Sequence, residues 1–327
     1  MEENNLNFTS RLALTELQES IGRIKEELHK VIIGQDDFIH FLILALLADG
    51  HVLIEGVPGI AKTLTARLLA KSIDTDFSRI QFTPDLMPSD ILGTSILNMK
   101  TSSFEFKPGP VFSNIILIDE INRSPAKTQA ALFEVMEERQ VTIDGKTYPM
   151  DELFMVLSTQ NPIEHEGTYA LPEAQLDRFI FKIKVDYPTA EEELEIIKLH
   201  NERKDNKILP IVNRVITEKQ IAEFKKIVHE VTVEEKIMKY ISDIVINTRN
   251  HPHLFLGASP RASVSILIAS KANAALNGRD FVIPEDVKLV LYPVLRHRLI
   301  VTPEREMEGV TTERVIDMIV KSIEVPR

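Results

Sequence analysis

Three short stretches hold residues that do chemistry only in combination. Gly56-Val57-Pro58-Gly59-Ile60-Ala61-Lys62-Thr63 follows an apolar run, and Leu64 continues into a helical pattern. Glycines at 56 and 59 let backbone amides wrap an anion with no Cβ in the way. Lys62 would reach the β- and γ-phosphates of a nucleotide, and the Thr63 hydroxyl would ligate Mg²⁺. The positive end of the following helix would face the same anion. Ala61 stands where a glycine usually precedes the lysine, and the loop tolerates it if that position has a helical φ.

The second stretch is Ile115-Ile-Leu-Ile-Asp119-Glu120, an apolar strand ending in two carboxylates. Asp119 at a strand tip can hold Mg²⁺ through water, completing the site begun by Thr63. Glu120 is placed to orient and deprotonate a water. Taken alone, the Asp-Glu pair could equally begin a loop and cap a helix. The third is Leu153–Ser158 followed by Thr-Gln-Asn161-Pro162. Asn161 could hydrogen-bond a γ-phosphate or the lytic water, or simply form an Asn-Pro turn.

These residues need a scaffold that brings strand tips together. β-type runs recur at His51–Glu55, Phe77–Phe82, Ile115–Asp119, Leu153–Ser158 and Phe179–Val185, with helical patterns at Ala61–Lys71 and Pro125–Glu138. Alternation of this kind predicts a parallel sheet with helices on both faces. Asp144-Gly145 between Val141/Ile143 and Thr147/Tyr148 predicts a hairpin with a primed turn. Leu12, Leu14, Leu17, Ile21, Ile24 and Leu28 predict an amphipathic helix, and a second covers Asp36–Ala48. After Val185 an all-helical bundle is expected. Its helix starts fall at Thr189…Glu192, Thr217…Gln220, Thr232…Glu235, Ser259-Pro260 and Pro284. The expected division is 1–187 and 188–327.

The bulk composition is that of an ordinary globular protein. The 327 residues are 44% hydrophobic and 27% charged, with 38 Lys+Arg against 49 Asp+Glu for a net charge of −11. An acidic chain is a poor general nucleic-acid binder. The absence of cysteine excludes disulfides and thiolate metal sites. No apolar run reaches membrane-spanning length and no secretory pattern opens the chain, so a cytoplasmic protein is expected. His229, His251, His253 and His297 match no metal-site spacing.

Together with Leu171-Pro-Glu-Ala-Gln-Leu-Asp-Arg178-Phe179 and Gly257-Ala-Ser-Pro-Arg261-Ala262, the three stretches and the hairpin resemble the MoxR family of AAA+ ATPases, from about Ile33 to about Arg298. The resemblance implies a three-layer α/β P-loop core followed by a smaller helical lid. The core would carry an insert in helix 2 at about 83–110 and a hairpin at 139–150. Both would project toward a client; a buried strand pair is the alternative. Ala61 fits the family's GxPGxAKT loop. By resemblance, Lys62 and Thr63 form the Walker A pair, Asp119 and Glu120 Walker B, and Asn161 sensor 1. Arg178 resembles an arginine finger acting on a neighbour's nucleotide, and Arg261 resembles sensor 2. Ile33 and Gln35 would lie against adenine. Arg123 is a weaker candidate for an intersubunit contact.

The resemblance further implies ATP and Mg²⁺ as cofactors and a homo-oligomeric ring, a hexamer. The ring would remodel a protein partner, often one with a von Willebrand A-type domain, in complex maturation or metal-cofactor insertion. A metal-chelatase ATPase subunit or a nucleic-acid motor shares the insert and hairpin. A nucleotide-dependent scaffold that scarcely hydrolyses would not need Lys62, Glu120 and Arg178 together.

Overall fold

A computed structural model of the protein describes residues 13–100, 102–162, 169–202 and 209–326. Leu12, the first position of the expected N-terminal helix, lies outside them. Five strands form the central sheet: β1 (His51–Gly56), β2 (Phe77–Gln81), β3 (Ile115–Asp119), β4 (Met155–Gln160) and β5 (Phe179–Val185). Their order across the sheet is β2-β3-β4-β1-β5, and every neighbouring pair is parallel.

The strands read as unbroken apolar runs because both faces are covered. Val52, Ile54, Ile115, Leu117, Met155 and Leu157 point into one core, and Leu53, Ile116, Ile118 and Val156 into the other. The first core is closed by helices α1 (Leu14–His29), α2 (Asp36–Leu47) and α3 (Lys62–Ile73). The second is closed by the helix Ala126–Glu138 through Leu132, Phe133, Val135 and Met136.

β4 begins and ends two residues later than the apolar pattern suggests. The carbonyl of Leu153 accepts from the side chain of Asn114 at 3.1 Å instead of joining the ladder. At the far end Thr159 and Gln160 extend the strand opposite Ile54 and Glu55. The hairpin Gln140–Ile143/Lys146–Pro149 turns at Asp144 and Gly145, with φ of 51° and 73°. Positive φ at both positions is what the primed turn requires. The insert folds as a short helix, Pro88–Leu92, and a largely exposed antiparallel hairpin, Gly93–Asn98/Ser103–Pro108. The two hairpins touch: the Phe106 and Tyr148 rings stack at 4.2 Å, and the Ser95 hydroxyl donates to Asp144.

Beyond Val185 the chain is mainly helical. Thr189/Glu192 and Thr217/Gln220 form reciprocal capping boxes. Ser259 caps the helix Pro260–Leu276, accepting from the Arg261 amide at 3.2 Å. The expected cap at Thr232 does not form. Its amide donates to Asp280 and its carbonyl accepts from Val282 in an extended bridge. The backbone of Thr232 is thereby held away from a cap position, and the helix starts after Glu234. A two-stranded ladder, Leu254–Leu256 with Ile300–Val301, is added to the expected bundle.

The first core does not stop at the sheet. It continues through α1 and α2 to Phe224, Ile241, Ile266 and Leu291 of the later helices. Each such side chain is worth about 1.5–3 kcal/mol when fully buried, so the helical part is firmly seated on the α/β part. Among the described residues no helix is long and apolar enough to cross a membrane.

Candidate active site

Chain reversal between β1 and α3 dictates the phosphate loop. A Cβ on Gly56 would sit 2.7 Å from the Val185 carbonyl oxygen and 2.7 Å from the Ile60 side chain, so only glycine fits beside β5. Gly59 has φ of 89°, with open space where its Cβ would stand. Ala61 departs from expectation. Its φ of 60° and ψ of 16° are left-handed, not helical, a conformation that costs a non-glycine residue about 1–2 kcal/mol. The loop must turn its amides inward before the helix starts, and neighbours hold it there. Gln35 Nε2 donates to the Ile60 carbonyl at 2.8 Å. The Ala61 carbonyl accepts from the Thr65 amide and hydroxyl. Lys62 Nζ reaches over the loop to the carbonyls of Gly56 and Val57. Burial lowers the Lys62 pKa, and the nearby charges of Asp119 and Glu120 oppose that shift.

The tips of β3 and β4 face this loop. Asp119 accepts from Arg79 Nε at 2.6 Å and from the Thr159 hydroxyl at 3.2 Å. That same hydroxyl accepts the Glu120 amide at 3.0 Å. Glu120 has φ of 56°, which turns the chain sharply out of the strand. Its carboxylate accepts from Gln81 Nε2 at 2.8 Å and pairs with Arg123 Nε at 3.1 Å. A cavity of ≈ 390 Å³ is lined by Pro58, Gly59, Ile60, Ala61, Lys62, Thr63 and Leu64 on one side. Arg79, Gln81, Asp119, Glu120, Thr159 and Asn161 line the other. Arg79, Gln81 and Thr159 escaped the sequence reading. Their signal is positional: β2 pairs with β3 so that Gln81 stands beside Asp119, and no motif announces which strands are neighbours.

A second, more apolar cavity of ≈ 420 Å³ shares Gly59, Ile60, Ala61 and Leu64 with the first. Val31, Ile32, Ile33 and Gln35 line it from one side, and Pro188, Ile196, Leu199 and His200 from the other. The last four were not anticipated. With Nε2 committed to the loop, Gln35 Oε1 is buried without a partner among the described residues. A polar cavity for phosphates adjoining an apolar slot with a spare acceptor suits an adenine nucleotide. The donors also suit Mg²⁺, which takes one or two carboxylates or hydroxyls and completes its shell with phosphate and water.

Arg178 and Arg261 line neither cavity. They meet at Glu137, in the last turn of the helix Ala126–Glu138. Arg178 Nε lies 3.3 Å from Glu137 Oε2, and Arg261 Nη2 donates to Glu137 Oε1 at 2.6 Å. The Arg178 guanidinium also sits 5.8 Å over the Phe133 ring, one turn earlier. Beneath them Arg298, with 2% of its side chain exposed, pairs with Asp177 at 2.6 Å. Arg298 also donates to the carbonyls of Asp177, Phe179, Ile180 and Val294. Burial lowers its pKa, and Asp177 opposes the shift. Asp177 accepts in addition from the Ser259 hydroxyl at 2.8 Å. None of Glu137, Ser259 or Arg298 forms a recognisable motif with Arg178.

Known proteins resemble this chain in sequence and fold. Residues 51–181 match the ATPase family associated with various cellular activities (AAA), and residues 246–319 match the AAA lid domain. The uncharacterized protein YeaC of Bacillus subtilis is 45% identical over 311 residues, covering 95% of this chain and 96% of that protein. Chaperone MoxR1 of Mycobacterium tuberculosis is 44% identical over 310 residues, covering 92% and 81%. A crystal structure from Cytophaga hutchinsonii, described as a candidate ATPase, matches with a TM-score of 0.89 and 44% identity, over 96% of this chain and 97% of that one. Similarity at that level over nearly the whole length means that the chain belongs to the MoxR family of AAA+ ATPases.

Proposed function

We propose that the protein binds ATP with Mg²⁺ and hydrolyses it as one subunit of a homo-oligomeric ring, a hexamer, acting in the cytoplasm as a chaperone-like remodeller of a partner protein. One observation carries this reading. Lys62, Thr63, Asp119, Glu120 and Asn161 share a cavity, whereas Arg178 and Arg261 collect elsewhere on Glu137. A site that needs their charge on the γ-phosphate needs a second copy to supply it.

In this reading the amides of Gly56–Leu64 and the Lys62 ammonium hold the phosphates, and Ile33 and Gln35 border the base. Thr63 and Asp119 would hold Mg²⁺, which when bound neutralises phosphate charge. For that, Asp119 must be shared with or released by Arg79. Glu120 accepts the proton of the attacking water, and Asn161 orients that water or the γ-phosphate. Arg178 and Arg261 stabilise charge on the neighbour's transferring group. The α/β core is 1–187 and the helical lid 188–327, a division supported by the end of the sheet at Val185. The exposed insert and the joined Asp144–Gly145 hairpin suit contact with a client. The name of the Mycobacterium relative supports a chaperone role. A client with a von Willebrand A-type domain, and work in complex maturation or metal insertion, rest on family resemblance.

The test is ATP turnover against protein concentration for wild type, Lys62→Ala, Glu120→Gln and Arg178→Ala. Turnover per subunit should rise with concentration, and each variant should lower it by about 10²-fold or more. Turnover flat with concentration and indifferent to Arg178→Ala would refute the ring, and turnover that survives Glu120→Gln would refute the assigned base.

A further inference from the structure

We propose that Glu137 is a positioning residue that yokes Arg178 and Arg261 into one two-pronged cation, so that both guanidiniums are delivered to a neighbouring nucleotide together. The inference rests on the intersubunit role of Arg178 proposed above.

The two arginines are 83 residues apart in sequence and belong to different elements, yet each binds a different oxygen of one carboxylate. Two cations at such close quarters repel unless an anion lies between them. Glu137 supplies that anion and leaves the trio with one net positive charge for an incoming phosphate. Its helix also fixes Arg178 through Phe133, four residues earlier on the same face. The backbone below is locked to match. Ser259, the cap of the helix that carries Arg261, donates to Asp177, the residue before Arg178. The buried Arg298 holds Asp177 in turn. The backbones of the two arginines are thus joined through Asp177 and Ser259, and their guanidiniums through Glu137.

An ordinary surface ion pair would contribute little to stability and leave turnover untouched. Glu137 is partly exposed, with 39% of its side chain open, so Glu137→Gln should fold. The yoke predicts a specific kinetic pattern. Glu137→Gln should lower kcat roughly tenfold with KM for ATP changed less than about twofold, because the arginines act in the transition state and not in ATP capture. Glu137→Asp, which keeps the charge, should recover most of the loss.

The effect should vanish in the Arg178→Ala/Arg261→Ala background, since Glu137 acts through those side chains. Glu137→Gln subunits mixed with Glu120→Gln subunits should turn over ATP faster than the sum of the two alone. The first keep a working cavity and the second a working pair of arginines. A merely structural role would lower the melting temperature without this complementation.

Wild-type or raised kcat in Glu137→Gln would overturn the proposal. So would a full tenfold loss on top of the double arginine variant. Failure of the underlying reading looks different: Arg178→Ala alone would then turn over like wild type and would not complement Glu120→Gln.

Discussion

The molecule assembles charge in two places by opposite means. At the strand tips, Lys62, Thr63, Asp119 and Glu120 come from two contiguous motifs, and the sheet register alone brings them into one cavity. At the Glu137 cluster, Arg178, Arg261 and Glu137 come from three separate elements. They are held by a buried arginine that belongs to no motif. The first place is backbone geometry, with glycines and left-handed turns where side chains would obstruct. The second is a side-chain network seated on the junction between the sheet and the later helices. Charge drawn from contiguous motifs can be encoded locally, whereas charge gathered from three separate elements depends on tertiary packing.

The largest effect that would break this comparison is kinetic. Arg178→Ala should reduce turnover by about 10³-fold while nucleotide binding, measured by a fluorescent ATP analogue, stays near wild type. Lost binding would instead place Arg178 at its own subunit's cavity.

Next comes the buried pair. Asp177→Ala leaves the Arg298 guanidinium without its carboxylate and should cost about 3–5 kcal/mol in urea unfolding. A cost below 1 kcal/mol would show that the carbonyls around Arg298 suffice.

His51 ties β4 to the helix that carries Glu137: its Nδ1 accepts the Val156 amide while Nε2–H donates to the Met136 carbonyl. Burial, then the Arg139 charge, lowers the His51 pKa from 6.5 to about 4. The folded state therefore resists protonation. The stability contributed is full above pH 6.5 and is lost as pH falls toward 4, amounting to about 3 kcal/mol. His40, also lowered to about 4 chiefly by burial, acts in the same window. Chemical denaturation at pH 7.5 and pH 5 should show the drop, and His51→Gln should reduce it by the His51 share, leaving that of His40.

The smallest expected effect is at the cap. Ser259→Ala should cost about 1 kcal/mol, read as a melting shift.

Much of the fold was legible because strands buried on both faces read as plain apolar runs and helix starts carry capping chemistry. Where the reading slipped, tertiary contacts had overridden local signals. Thr232 has a capping sequence, but its backbone pairs with residues 280 and 282. Ala61 reads as a helix start, but the loop bends it left-handed and Gln35 braces the neighbouring carbonyl. Asp119 and Glu120 were recognisable as a strand tip. Their partners Arg79, Gln81 and Thr159 were not, since only the strand order β2-β3-β4 makes them neighbours.

By itself, the sequence determined the family, the parallel sheet and the phosphate loop, because these depend on residue types at fixed short spacing: glycine for tight turns, lysine and threonine at a helix start, carboxylates after an apolar strand. Only the tertiary structure decided that Arg178 and Arg261 share Glu137, that Arg298 anchors the Asp177 beside them, and that Ile196, Leu199 and His200 line the apolar cavity. Those contacts join residues tens to hundreds of positions apart, and the packing of whole elements, rather than any local pattern, sets such distances.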